Sequence, residues 1–190
     1  MIQISYRGKV VFCGQPGVGK TSLLARYVDG NFSDAYHQTI GANFLIKEID
    51  LSKMLNKLQF QNPELENDIY EKGFRLYFWD IGGQVDKLFA NEYYFIQALG
   101  AMIIFDISNK NSFDNLEFWI SKLKELSGDV PFLIIGNKVD KSETREVSED
   151  EGKKFAAKYG VEYIETSAKN DMNVDKAFEL LAIKILEGIK

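Results

Sequence analysis

The chain is poor in residues that build cross-links and metal sites: it has one cysteine, Cys13, and one histidine, His37, among 190 residues. A single cysteine excludes an intramolecular disulfide framework and fits a reducing compartment. One cysteine and one histidine cannot assemble a zinc site of Cys and His ligands within the chain. A Ser-His-Asp or Cys-His hydrolase would have to use His37, and its surroundings read as a solvent-facing loop. Positive charge is also in deficit, with 23 Lys+Arg against 28 Asp+Glu and a formal net charge of -5. That balance argues against a broadly basic nucleic-acid surface and against a polybasic membrane surface. No run approaches the ~20 apolar residues of a membrane span. The opening stretch MIQISYRGKVVFCG has no secretory signal. The closing EGIK lacks the cysteine of a prenylation box. The expectation is a cytoplasmic protein with no intrinsic membrane anchor.

What is present is ordinary globular material. Hydrophobic residues make up 45% and charged residues 27%, enough apolar surface to fold. The length suits one domain over residues 1–190. Short apolar runs of strand length, Lys9–Cys13, Ala101–Asp106 and Pro131–Asn137, are near-continuous, which suits strands covered on both faces. Phe74–Asp80, Ala42–Leu51 and Tyr163–Glu165 also read as strands. Helical patterns alternate with them at Lys20–Val28, Phe113–Leu126, Ser148–Tyr159 and Val174–Ile189. Ser148 and Glu151 stand in capping-box register. This alternation predicts a doubly wound α/β sheet.

The strongest local signal is Gly14–Thr21, GQPGVGKT, between an apolar strand and a helix. In that context a GxxxxGK[ST] string is a phosphate cradle. Gly14, Gln15, Pro16, Gly17, Val18 and Gly19 form its loop, where glycines let backbone N–H groups approach phosphate oxygens. The helix N-terminus adds its dipole. Lys20 supplies a cation, and the Thr21 hydroxyl is a magnesium ligand. Asp80–Gln84, DIGGQ, ends a strand. Asp80 can hold magnesium through water, Gly83 can turn an N–H toward a terminal phosphate, and Gln84 can orient a water. Asn137–Asp140, NKVD, follows another strand. The Asp140 carboxylate can accept the adjacent N–H and amino donors of guanine, a pair that adenine does not offer on that edge. A buried acid left unpaired by the wrong base rejects it strongly. The aliphatic stem of Lys138 can lie over the base. In Thr166–Lys169, TSAK, the Ala168 N–H can bond the guanine carbonyl.

These motifs sit in order at strand ends, where doubly wound folds bind ligands. Together they resemble the Ras superfamily of small GTPases over nearly the whole chain outside Ser52–Gly73. The IGANF, RLYFW, NEYYFIQALGAMIIFD and NSF strings look most like Rab GTPases. The resemblance implies a three-layer α/β/α P-loop NTPase fold with a six-stranded, mostly parallel sheet and one antiparallel hairpin strand. It implies GTP and GDP as substrate and product, with Mg2+ as cofactor. It extends the nucleotide contacts to Ser22, Ser167 and Lys169. It places Phe32 against the guanine, Tyr36 over the phosphates, and Thr39 on magnesium and the γ-phosphate. It also implies effector, exchange-factor and GTPase-activating partners, reached through Thr39–Phe44 and Gln84–Phe95.

The chain departs from the family pattern at several points. DIGGQ replaces the commoner DTAGQ, Val85 stands where Rab proteins usually carry an acid, and Pro16 stands inside the phosphate loop, where it lacks an N–H. No arginine lies within Asn31–Thr39, so no arginine finger in cis is evident there. Thr39 and Asp80 are 41 positions apart, about twice the family's usual interval. The excess, residues 52–73, reads as an insertion in the hairpin between the switches. It serves either as a further partner surface or as a tolerated surface insertion. Two rival functions stay open at this stage: a GTP-binding scaffold that barely hydrolyses, and a P-loop kinase.

Overall fold

The computed structural model describes residues 6–34, 42–49, 67, 71, 74–82 and 92–188. Six strands form one sheet: β1 (Tyr6–Cys13), β2 (Ala42–Ile49), β3 (Phe74–Ile81), β4 (Gly100–Asp106), β5 (Phe132–Asn137) and β6 (Tyr163–Thr166). Their spatial order is β2-β3-β1-β4-β5-β6. All neighbouring pairs are parallel except β2 and β3, which run antiparallel from Ala42 opposite Ile81 to Ile49 opposite Phe74. The mostly parallel sheet with one antiparallel hairpin strand is therefore as the sequence predicts.

The helices are α1 (Lys20–Asp29), α2 (Lys110–Asp114), α3 (Leu116–Ser127), α4 (Glu149–Lys158) and α5 (Val174–Gly188). The pattern over Phe113–Leu126 predicts one helix, and the structure has two. The Asn109 side chain caps α2 by accepting from the Ser112 N–H at 3.2 Å, and the helix ends at Asn115, whose φ -88° and ψ 3° leave helical geometry. The local cap starts the helical chain three residues earlier than apolar spacing suggests. The Ser148–Glu151 capping box of α4 is present in both directions.

Strand side chains alternate between two apolar layers. On one face Val10, Phe12, Phe78, Met102 and Ile104 pack with Leu23 and Leu24 of α1 and Phe178, Leu181 and Ile185 of α5. On the other, Val11, Cys13, Ile103, Phe105 and Ile134 pack with Phe113, Trp119, Ile120 and Phe155. Burial on both faces is why β4 and β5 read as unbroken apolar runs. Cys13 is a fully buried core residue, and burial pushes its thiol up to about 12.

An aromatic cluster fastens α1 and α5 to the sheet. The Tyr27 ring stacks on Phe178 at 3.6 Å between centroids, and Phe178 lies 5.7 Å from Phe12 and 5.4 Å from Phe78. Such pairs contribute beyond their buried area. Phe178→Ala is expected to lower unfolding free energy by about 3–5 kcal/mol, read from urea denaturation followed by circular dichroism.

Candidate functional site

β1 lies between β3 and β4, so the chain leaves its carboxyl end at the point where strand order reverses. There the backbone is pressed against its neighbours. A Cβ on Gly14 would stand 2.1 Å from the Ile104 carbonyl oxygen, and one on Gly19 would stand 2.4 Å from Nδ2 of Asn137. Gly14 and Gly19 also have φ of +142° and +94°, which L side chains rarely adopt. Val18 is buried beneath the loop, while Pro16 and Gly17 face outward. Gly19 is the N-cap of α1 and no side chain bonds there, so the first-turn N–H groups face the loop rather than a cap. Ser22 follows in that first turn.

Lys20 is buried, and its Nζ donates to the carbonyls of Gly14 at 2.8 Å and Gln15 at 2.9 Å. Burial pushes its pKa down to about 8, against the opposing pull of Asp80. The Thr21 hydroxyl donates to Oδ2 of Asp80, which is buried near the end of β3. A hydroxyl and a carboxylate in contact beside a cationic phosphate cradle form a hard-oxygen donor set. That set suits magnesium, which takes few protein ligands and completes its shell with water and substrate phosphates. No cluster of three or more His, Cys, Asp or Glu able to hold a metal occurs among the described residues.

The second half of the site lies at the ends of β5 and β6. The Asn137 amide is buried; its Nδ2 donates to the Val18 carbonyl at 2.9 Å, and its Oδ1 accepts from Thr166 at 3.0 Å. Lys138 adopts φ +68°, pairs with Asp106 at 2.7 Å and also donates to the Gly17 carbonyl. Its stem thus runs from the end of β5 across to the phosphate loop. Burial acts to raise the Asp106 pKa, but hydrogen bonds from Lys138 and Ser108 overcome it and hold the carboxyl below its usual range. Asp140 accepts from the Ser167 hydroxyl at 2.6 Å. Ala168 is buried directly after it, and Lys169 pairs with Asp34 at 3.1 Å. Phe32 packs against the core at the far end of α1.

The structure thus gathers the loop Gly14–Thr21, Asp80, Asn137, Lys138, Asp140, Ser167 and Ala168 along one edge of the sheet. Tyr36, His37, Thr39, Gly83 and Gln84 lie outside the described residues, as does nearly all of 52–73. Sequence reasoning missed Asp106, although an acid closing a wholly buried strand was a visible signal. It also missed the pair Arg145–Glu165, with contacts of 2.7 and 2.8 Å that brace the segment after Asp140 against β6. Arg26, which bonds the Ala168 carbonyl at 2.8 Å, was missed too. Nothing local in the sequence marks either arginine.

A sequence model of the Ras family matches residues 9–187. The chain belongs to the Ras family. Among its relatives, Ras-related protein Rab-8B of Bos taurus is 37% identical over 182 residues, 95% of this chain and 79% of that protein. Ras-related protein Rab-8 of Diplobatis ommata is 37% identical over 182 residues, 95% of this chain and 78% of that protein. Ras-related protein Rab-8A of Rattus norvegicus is 37% identical over 178 residues, 93% of this chain and 77% of that protein. As a Rab-like member of the Ras family, the chain is a guanine-nucleotide-binding switch and a GTP hydrolase that answers to regulators and effectors. That sets aside the kinase reading and the scaffold without hydrolysis.

The Lys20 ammonium of this Ras-family site carries a pH signature. Its pKa is lowered in the fold and normal in the unfolded chain, so its buried charge opposes folding most fully below about pH 8. Between about pH 8 and about pH 10.5 the unfolded chain holds the proton that the fold has released, and the penalty shrinks. In nucleotide-free protein, thermal melts of Lys20→Met and the unsubstituted chain should therefore shift in favour of the unsubstituted chain between about pH 7 and about pH 9.5. A difference that stays constant with pH would contradict the buried-ammonium account.

Proposed function

We propose that the chain works as a magnesium-dependent, Rab-like switch in cytoplasmic trafficking or regulation, with the roles divided along the sheet edge as follows. The loop Gly14–Gly19 and Ser22 hold the phosphates, and Lys20 sets its charge against the outer ones. Thr21, Asp80 and Thr39 hold the magnesium, which when bound supplies positive charge against the phosphate oxygens. Asn137 and Lys138 fix the base pocket, and Asp140 accepts the two donors of guanine. Ser167, Ala168 and Lys169 form its other wall, and Phe32 and Tyr36 close over the nucleotide. The observation that carries this reading is that Lys20, the Thr21–Asp80 pair and Asp140 converge on one strand-end edge.

Chemistry is attack of water on the γ-phosphorus, which breaks its bond to the β–γ bridging oxygen and releases GDP and phosphate, with Gln84 orienting that water and Lys20 neutralising charge as it develops. Thr39 and the Gly83 N–H sense the γ-phosphate, so its loss releases both switch segments. With no arginine within Asn31–Thr39 to serve in cis, unaided turnover is slow and rises with an activating partner. Partners meet the chain through Thr39–Phe44 and Gln84–Phe95. The exposure of Tyr93, at 69%, supports the second surface, and Tyr94 packs beside it on Trp79 at 5.2 Å. Residues 52–73 are an insertion within one G domain over residues 1–190, and they add to the partner surface. Among the described residues no helix is long and apolar enough to cross a membrane.

Two substitutions test the assignments. Asp140→Asn should turn preference from GTP to xanthosine triphosphate, read by competition binding; undiminished GTP affinity would sink the base assignment. Gln84→Leu should slow single-turnover GTP hydrolysis by about tenfold or more while GTP binding stays within about twofold.

A further inference from the structure

The guanidinium of Arg26 touches the Ala168–Lys169 wall of the base pocket proposed above and lies beside Phe32. It sits in the last turn of α1, which begins at the phosphate-binding Lys20. Its Nε donates to the Ala168 carbonyl at 2.8 Å, and one terminal nitrogen donates to the Lys169 carbonyl at 3.2 Å. The other donates to the Gly30 carbonyl at 2.7 Å, across the C-cap of its own helix. Its Cζ lies 5.8 Å from the centre of the Phe32 ring, within cation–π range. One rigid, always-charged fork thus ties the Ala168–Lys169 backbone to the segment that carries Phe32.

The geometry has a direct consequence for the peptide joining Ala168 to Lys169. In a trans peptide the C=O and N–H point in opposite directions. With the Ala168 carbonyl drawn toward α1, the N–H of Lys169 points away from α1. The Lys169–Asp34 pair is solvent-exposed, and such pairs hold little. Ser167 is held by Asp140, Asn170 and Met172, and Arg26 adds the hold on the two carbonyls that follow it. From Lys20 to Arg26 the helix rises about 9 Å, so α1 is a stiff spacer between phosphate cradle and base pocket.

We infer that Arg26 is a positioning residue for guanine: it sets the distance and orientation of the TSAK backbone and of Phe32 relative to the phosphate loop, and so governs nucleotide retention. The inference rests on the guanine pocket assigned to Asp140 and Ala168. The test measures GDP dissociation and magnesium-pyrophosphate binding in the full chain carrying Arg26→Gln or Arg26→Lys. Loss of charge-assisted bonds to the loop should speed GDP release by about tenfold or more in Arg26→Gln. Pyrophosphate affinity should stay within about twofold, because the cradle itself is untouched. Lysine keeps the charge and loses the fork, so Arg26→Lys should recover less than half of the lost retention on a logarithmic scale.

GDP release unchanged in Arg26→Gln would overturn the inference. So would an equal weakening of GDP and pyrophosphate, which would make Arg26 a general prop for α1. Full recovery in Arg26→Lys would overturn the role of the fork. Failure of the guanine pocket itself is distinguishable, because it would show in the unsubstituted chain as ADP held as tightly as GDP, and it would take this inference with it.

Discussion

The side-chain amide of Asn137 is the tie on which the rest of the site depends. It is buried at the end of β5, donates to the carbonyl of Val18 in the phosphate loop and accepts from Thr166 at the end of β6. An unpaired amide in that position would cost the full desolvation of its polar atoms, so the loops are held in the one arrangement that satisfies it. The same nitrogen leaves no space for a side chain at Gly19. Residues more than a hundred positions apart in sequence are therefore locked at hydrogen-bond distance. The phosphate loop and the ends of β5 and β6 are thereby fixed relative to one another.

Around that tie the charges are arranged in offsetting pairs. Lys20 is buried against backbone carbonyls, which accept from two of its three donors, while Asp80 counters the cost of its charge. Lys138 and Asp106 form a second pair that bridges β4 and β5 to Gly17. The Arg145–Glu165 fork forms a third, behind the base loops, with Tyr163 also donating to Glu165 at 2.9 Å. Packing enforces this last arrangement, since a Cβ on Gly152 would stand 2.4 Å from the Tyr163 ring. Bidentate geometry makes such a partly buried pair more than a surface contact.

The two apolar layers give these ties a rigid base. β1 carries Val10 and Phe12 into one layer and Val11 and Cys13 into the other, so the strand that leads into Gly14 is held from both faces. The α1 helix is seated by Leu23, Leu24 and the stacked Tyr27–Phe178 rings. A switch needs this contrast: a fixed floor beneath the nucleotide, and segments whose contacts depend on its terminal phosphate.

By itself the sequence determined the fold class, the order of the motifs and the residue types proposed to meet nucleotide, because these follow from local rules. Strand-length apolar runs, a glycine loop entering a helix and a Ser148–Glu151 cap all act over a few residues. The break at Asn115 escaped periodicity because its backbone leaves helical geometry, at ψ 3°, where its side chain bonds the Asn111 carbonyl, and apolar spacing carries no mark of that. Only the tertiary structure decided that Asn137 reaches Val18, that Lys138 anchors on Asp106 and that Arg26 holds the carbonyls of Ala168 and Lys169. Those partners lie on different strands and helices. Nothing in the spacing of a linear chain pairs them; the parallel sheet does so by bringing successive strand ends to one edge, where buried polar groups must find each other.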